Sequence, residues 1–177
     1  MPVTPTGPAA LPLARLRELL SSSTTWQTWT ASDDADEAAE DIYLVAKRPD
    51  AGESWSELRP MAIVDYAESE AWRRTRDSEM GQTDEWRFEV LFEADVPAEY
   101  ADDLDEADLT LWMLNNVGAV LDEIWDSQGV TNPADGANTF IVLRATAMGA
   151  VMRTNDNADP TSGDALMLPV MVEAASI

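Results

Sequence analysis

Two neighbouring segments with different hydrophobic periods place the strongest constraint on the fold of this chain. In Asp84–Ala94, apolar residues alternate with charged ones, and Leu91 is the only apolar residue on the second face. This period of two predicts a strand with one covered face and one wet face. In Asp102–Ser127, apolar residues recur every three or four positions, which predicts a long amphipathic helix. Together the two segments predict an α/β (α+β) domain whose long helix lies across a sheet.

The predicted helix has a broad apolar face. Its main stripe consists of Leu104, Ala107, Leu111, Leu114, Gly118, Leu121 and Trp125, and Met113, Val117, Val120 and Ile124 widen it. Acidic residues in its first turns, from Asp102 to Glu106, suit the positive end of the helix dipole. Gly129 follows the last apolar residue and is typical of a helix C-terminus.

The remaining pattern predicts one domain over residues 1–177, with residues 1–10 as an extended, Pro-rich arm. A helix is expected over Pro12–Ser22, followed by a short turn capped by Ser23 or Thr24 that places Trp26 and Trp29 on one face. The acidic stretch Asp33–Asp41 reads as a solvent-facing addition. The other predicted strands are Ile42–Ala46, Arg59–Tyr66, Thr139–Met148 and Ala165–Val172.

The order of the strands predicts a mixed or antiparallel sheet with helices packed on one face. Thr139–Met148 is apolar on both faces, so we expect it to be a central strand. Pro169 lacks a backbone donor, so we expect the last strand to lie at an edge or at a bulge. These two strands, with the polar loop Asn155–Gly163 between them, predict a long C-terminal β-hairpin.

The composition removes most of the usual catalytic groups. The 177-residue chain has no His, no Cys and one Lys, and its 34 acidic and 11 basic residues give a formal net charge of −23. His is the ordinary acid or base near neutral pH, and Cys and His are the main ligands of transition metals. We therefore predict that the protein is not an enzyme and has no cofactor. Its negative charge disfavours binding to nucleic-acid phosphates or anionic membranes.

Two further expectations follow from the sequence. Its apolar runs are too short to cross a membrane, and its first residues lack the basic start of a signal peptide, which predicts a soluble protein. A host living in high salt would also favour an acidic surface, and that explanation says nothing about function.

Acidic clusters are the only candidates for a metal site. Asn155, Asn157 and Asp159 have the spacing that opens a calcium loop, but Pro160 and Leu166 break the pattern. Asp33–Glu37 and Asp102–Glu106 could hold Mg²⁺ or Ca²⁺, yet adjacent acids are expected by chance in so acidic a chain. We therefore predict no metal site and no catalytic residue.

The candidate subunit contacts are an arginine cluster and one tryptophan. Arg73, Arg74 and Arg76 follow Trp72, and they could pair with acids on a neighbouring copy or with nearby acids of the same chain. Trp112 lies on the polar side of the long helix. A Trp there is covered either by another element of the same chain or by a partner.

The order of elements and several short phrases resemble the tail terminator and related head–tail joining (neck or minor tail) proteins of long-tailed bacteriophages. The phrases are "LRELLSSSTTWQTW", "RPMAIV", "NNVGAVLDEIWD", "FIVLRATAMGAVMRTND" and "LMLPVMVEA". None is a chemical signature, and the resemblance in layout covers almost the whole chain.

That resemblance implies a small α/β domain that forms a hexameric ring at the head-proximal end of the tail tube. The ring stops tube polymerisation and docks the head connector, so the implied partners are further copies, the tail tube protein and the connector. Viral DNA would only pass through the lumen. The implied location is the virion tail, after assembly in the host cytoplasm. The alternatives are another neck protein, an acidic ion- or ligand-binding domain of a salt-adapted organism, and a carboxylate-based hydrolase.

Overall fold

The computed structural model describes residues 10–44, 55–67, 72–77, 81–97, 106–126, 141–155 and 164–176. Three helices open this part of the chain: α1 (Ala10–Ser22), α2 (Thr24–Thr30) and the short α3 (Ala35–Ala38). The first two confirm the predicted helix and the Trp-bearing turn. Ser23 is the N-cap of α2, because its hydroxyl accepts a 3.0 Å hydrogen bond from the backbone N–H of Trp26. The predicted arm falls on residues 1–9, which lie outside the described residues, and on Ala10.

The described strands form one mixed sheet of seven strands, which confirms the predicted fold class. They are β1 (Ile42–Tyr43), β2 (Met61–Tyr66), β3 (Trp72–Asp77), β4 (Gly81–Asp95), β5 (Ile141–Met148), β6 (Met152–Asn155) and β7 (Asp164–Ser176). The main order is β1-β2-β4-β7-β5. The β1–β2 pairing is parallel and the other pairings are antiparallel.

β4 is the strand on which the sheet is built. Its first half pairs with β3, from Trp72 opposite Trp86 to Asp77 opposite Gly81. Its second half pairs with β2, and its other edge pairs with β7 from Glu85 onward. The first residues of β4 therefore extend past β7 as part of a two-stranded β3–β4 hairpin. Gly81 is the first residue of β4.

The positions of the last strands differ from the prediction. β7 lies between β4 and β5, and β5 is the last strand in the order of the described sheet. The expectation that Thr139–Met148 is central is therefore wrong. Of the two alternatives for the last strand, the edge is wrong, whereas an irregularity is present beside Pro169. β5 and then β6 pair antiparallel with β7, so the predicted long C-terminal hairpin is present.

Pro169 is tolerated in this central strand because its neighbour is interrupted there. β5 ends opposite Val170 and β6 begins opposite Met167, so no ladder residue stands opposite Pro169 on that side. The carbonyl of Pro169 accepts a 2.8 Å hydrogen bond from the N–H of Gly149. The backbone nitrogen and carbonyl of one strand residue point to the same side, so the nitrogen of Pro169 also faces this break. Its missing N–H therefore falls where the ladder is already broken.

The helices cover one face of the sheet, as predicted, and the core lies between these layers. Large buried side chains there include those of Trp26, Trp86, Phe88, Phe92, Leu16, Leu20 and Met113. Trp26 and Trp29 of α2 both contact Phe92 of β4, at ring-centroid distances of 5.9 and 6.4 Å. The alternating apolar residues of β4 are buried as the sequence predicted.

The long helix α4 (Glu106–Asp126) presents a different stripe to the core from the one expected. Leu109 and the set Met113, Val117, Val120 and Ile124 are buried. Leu111, in the expected main stripe, is 56 % exposed, and Ala107 is exposed too. The residues thought to widen the stripe form its centre. The expected first turns over Asp102–Asp105, and Gly129, lie outside the described residues.

The acidic segment after α2 is tied to the body of the protein. Ala38 is fully buried, and its carbonyl accepts a 3.0 Å hydrogen bond from the indole nitrogen of Trp26. The guanidinium of Arg17 donates to the carbonyls of Ala39 and Ile42. The acids of Asp33–Asp41 are mostly exposed, as expected of a solvent-facing segment, while Ala38 anchors the segment to the body of the protein.

Candidate interaction surfaces

The arginine cluster lies on the β3–β4 hairpin. Arg73 stands opposite Glu85, Arg74 opposite Asp84 and Arg76 opposite Gln82, and the side chain of Arg73 is exposed. Directly opposed residues share one face of an antiparallel pair, at a distance where opposite charges attract. This register supports the intrachain alternative for Arg73, opposite Glu85. A contact of Trp72 or of these arginines with a second copy stays a prediction.

Trp112 is half-buried by its own chain. Its ring makes an edge-to-face contact with Trp29, with centroids 5.8 Å apart and planes at 84°. Trp29 in turn contacts Trp26 edge to face at 5.6 Å. This contact accounts for a Trp on the side of α4 that the sequence marks as polar. Whether a partner also reaches Trp112 stays a prediction.

A buried ion pair joins the start of β2 to the end of β4. The Nε of Arg59 lies 2.6 Å from an oxygen of Glu93, and another guanidinium nitrogen lies 2.9 Å from Asp95. The side chains of Arg59 and Glu93 are almost fully buried, whereas Asp95 is partly exposed. A buried pair of this kind fixes geometry, because either charge left alone would be costly. Because solvent hardly reaches the side chains of Arg59 and Glu93, the pair suits a structural role.

A second carboxylate holds two helices together. Glu123 of α4 accepts hydrogen bonds from the backbone N–H groups of Thr24 and Thr25, at 2.6 and 3.2 Å, and from both threonine hydroxyls. These donors lie in the first turn of α2, where backbone N–H groups have no helical partner. Burial raises the pKa of Glu123, but hydrogen bonds from Thr25, Ser23 and Thr24 outweigh burial and hold that pKa below its usual value.

One side of α4 is a partly exposed apolar surface, which we call the α4 flank. It consists of Ala107, Leu111, Leu114, Gly118 and Leu121, spaced by alternating steps of four and three. Ala107 and Leu111 are exposed, whereas the other three are half-buried and two of them, Leu114 and Leu121, also pack against the core. Leu111 is the most exposed large hydrophobic residue described, and a Cβ added at Gly118 would meet nothing within 4 Å. A cluster of this kind on an otherwise charged surface indicates a contact site.

A second apolar surface lies between α1 and α3, and we call it the α1–α3 groove. It has a volume of about 450 Å³. Its lining is largely made of small and aliphatic side chains: Ala10, Leu13, Ala14, Ala35, Ala39 and Leu44, with Arg17, Glu18, Ser21 and Asp36 beside them. Leu44, just after β1, is 38 % exposed. The sequence signal for this surface was the second helical face of α1, with Ala10, Ala14 and Leu13 at spacings of three and four, and our prediction missed it.

The acids of the described residues form no metal-binding cluster. The carboxylate of Asp34 caps α3 by accepting from the N–H groups of Asp36 and Glu37, and Glu37 accepts from the N–H of Asp33. Within the described ranges, no three acidic side chains converge to hold a metal ion. The broken calcium pattern ends in residues 156–163, which lie outside them.

Comparison with known proteins adds no family to this picture. No protein-family model matches the chain, and no curated protein is similar to it. Among the helices that the structure describes, none is both long and apolar enough to span a membrane.

Proposed function

We propose that this protein is a structural component of a bacteriophage virion that caps the tail tube and joins it to the head connector. In this proposal it acts as a homo-oligomeric ring, of six subunits by the resemblance stated above. It has no catalytic activity and needs no cofactor. Its location is the head-proximal end of the tail, after assembly in the host cytoplasm.

The layout of the elements supports the proposal. α1 and α2 open the chain, β1 and β2 follow, the β3–β4 hairpin precedes the long helix α4, and β5 to β7 close the sheet. Over the described residues, this order agrees with the order of elements on which the resemblance is based. The observation that carries an assembly role is the α4 flank, because exposed leucine on a chain of net charge −23 indicates a surface that a protein partner covers.

The charge fits the proposed position. A ring of strongly acidic subunits repels the phosphates of DNA, so DNA would pass without sticking to the lumen. The same charge opposes the association of copies, so the ring should form more readily when salt screens the repulsion. Neighbours of the ring are the tail tube protein on one side and the connector on the other.

Absolute mass by light scattering, at low and at high salt, tests the ring. We expect a discrete mass near six chains that appears or tightens as the salt concentration rises. Purified tube protein is then added, and co-sedimentation of the ring with capped tubes of arrested length is expected. Tubes that elongate normally and carry none of this protein would refute the capping role, whatever the oligomeric state.

A ligand-binding domain is the second candidate function, and the α1–α3 groove is the observation that favours it. Its volume falls in the range of about 300–1,000 Å³ typical of ligand sites. Calorimetry with Ca²⁺ and Mg²⁺ tests the ion-binding form of this candidate. Saturable heat at one or two sites at constant ionic strength would support it, and heat that follows ionic strength alone would not.

A further inference from the structure

The two apolar surfaces of this protein lie at opposite ends of its sheet. α1 packs on β1 and β2, and Leu44 follows β1, so the α1–α3 groove is at the β1 end. α4 packs on β7 and β5, which form the other end of the strand order. A projecting surface and a recessed surface on opposite sides of one molecule are the arrangement that head-to-tail association requires.

The α4 flank points away from the other helices. Trp112 and Glu123 face α2, since the first contacts Trp29 and the second binds the first turn of α2. At 100° per residue, Leu111 and Gly118 lie far around the helix from both. Thr110, between the buried stripe of α4 and the α4 flank, lines a small cleft with the buried Leu109 and with Val151, Arg153 and Leu166 at the β6–β7 side. The α4 flank is therefore directed outward from the β5 end of the molecule.

The α1–α3 groove suits an uncharged apolar side chain of a partner. A volume of about 450 Å³ has room for more than one leucine side chain. Two of its charged groups are already occupied, because Arg17 donates to the carbonyls of Ala39 and Ile42 and Glu18 pairs with Arg15 at 2.6 Å. The acidic side chain of Asp36 also lines the groove, so it would repel an acidic group of a partner.

A second copy of this chain meets these conditions through its α4 flank. None of the five positions of the α4 flank carries a charge, although the chain as a whole carries −23. Contact between the α4 flank and the groove therefore adds little like-charge repulsion, which would oppose most other pairings of two copies. We propose that the α4 flank of one copy, led by Leu111, docks in the α1–α3 groove of the next copy.

This inference rests on the proposed ring and supplies the contact from which the ring is built. Because the two surfaces differ, each copy uses one surface for the copy before it and the other for the copy after it. Such a heterologous contact produces a closed ring when the rotation between copies closes. An isologous contact, in which two α4 flanks meet each other, would instead stop at a dimer.

Two single variants test the two surfaces separately. Leu111→Asp places a charge on the α4 flank, and Leu44→Asp places one in the groove; both sites are partly exposed, so the fold should be retained. Ala119→Asp is the matched control, because it adds the same charge at an exposed position of the same helix outside the α4 flank. Circular dichroism checks that all three are folded.

We expect light scattering at high salt to give an oligomer for the wild type and for Ala119→Asp. Each of the other two variants should be monomeric at concentrations where the wild type is assembled, with an apparent dissociation constant raised by at least about tenfold. An equimolar mixture of Leu111→Asp and Leu44→Asp restores one intact contact per pair. That mixture should give a complex of two chains and nothing larger.

Several outcomes would overturn the inference. They are a wild type that stays monomeric at every salt concentration, assembly that survives Leu111→Asp or Leu44→Asp, and a mixture that fails to pair. Groove-independent assembly would leave the groove to a small ligand or another partner. The capping role is judged separately by the tube experiment, so a wild type that assembles through these surfaces but ignores tail tubes would refute the function and keep the contact.

Discussion

Individual acidic residues in this protein have roles that its overall charge conceals. Glu123 accepts hydrogen bonds from the start of α2, and Glu93 is buried against Arg59. Neither could be singled out from the sequence, because each partner lies far away along the chain, 99 positions from Glu123 to Thr24 and 34 from Glu93 to Arg59. Local composition shows only that both are acids among many.

The role of Glu123 predicts a pH-dependent contribution to stability. Its folded-state pKa lies below the usual value of 4.5, so the stabilisation is complete above that value and is lost as the pH falls through the folded pKa. Glu123→Gln should lower the free energy of unfolding by about 1 kcal/mol at pH 7, less than the roughly 1.5–3 kcal/mol of hydrogen bonds to charged groups, because the contact with Thr24 is exposed to solvent. Urea unfolding from pH 7 to pH 3 measures this difference, which should shrink toward the acid end.

Asp122→Asn is the control for this experiment, since it removes the same charge at the neighbouring, exposed position. It should change stability by less than about 0.5 kcal/mol at any pH. An equal effect of the two substitutions would mean that the hydrogen bonds of Glu123 to α2 contribute nothing specific.

The Arg59–Glu93 pair predicts an unequal response to two similar substitutions. Glu93→Gln removes the buried charged partner of the Arg59 guanidinium, and the loss of a buried partner costs about 3 kcal/mol. Asp95→Asn removes the 44 % exposed partner and should cost less than about 1 kcal/mol. Chemical denaturation at pH 7 compares them, and a larger effect at Asp95 would contradict this account.

For the helices and strands, the sequence predicts which elements exist and of which type better than it predicts their place in the fold. The alternation in β4 and the period in α4 identified both elements, because local residues determine these patterns. The predicted apolar face of α4 was broad enough to include the buried residues, but its centre was misplaced, since two apolar stripes compete and the packing of Leu109 and Met113 selects one. Leu111, assigned to the core from its spacing, is exposed.

The last strands illustrate the same limit. Pro169 correctly signalled an irregularity, but the irregularity is in the neighbouring strand, between β5 and β6. Which strand is central depends on pairing between distant segments, which hydrophobicity alone does not specify. Among the candidate contact residues, Arg73 and Trp112 could be chosen by residue type. The α1–α3 groove could not, because three separate segments have to fold to form it.

Alanine substitutions at two glycines, one beside Pro169 and one in α4, should have opposite effects on stability. A Cβ at Gly149 would lie 2.6 Å from Cγ of Pro169, so Gly149→Ala should destabilise the protein by about 1–3 kcal/mol. A Cβ at Gly118 meets open space inside a helix, so Gly118→Ala should stabilise it by about 0.5–1 kcal/mol. Thermal unfolding of both variants at equal protein concentration gives the comparison. A neutral Gly149→Ala would show that the two strands part easily.

At the scale of the whole molecule, charge repulsion opposes the compact state. With 34 acids against 11 bases, lowering the Debye length from about 10 Å at 0.1 M salt to about 3 Å at 1 M should favour folding. Within the part of the chain that the structure describes, no three acids are placed to share a metal ion. We therefore expect stability to follow ionic strength rather than the concentration of one specific ion.

This account predicts that the unfolding temperature rises by about 4 °C or more between 0.1 and 1 M NaCl, which is about 1 kcal/mol for a chain of this size. KCl should act equally, and MgCl₂ should follow the same curve when plotted against ionic strength. Differential scanning calorimetry on the monomeric Leu111→Asp variant separates this effect from assembly. A sharp rise at micromolar Mg²⁺ would instead favour the ion-binding alternative.

The central place of β7 also determines when the protein can fold during its synthesis. β4 and β5 are joined only through β7, and β7 is the last of these strands to leave the ribosome. Until then, the long edge of β4 has no neighbour on that side, and an unpaired edge invites pairing with other chains. The sheet can therefore close only after residues 164–176 have emerged, when most of the chain has been made.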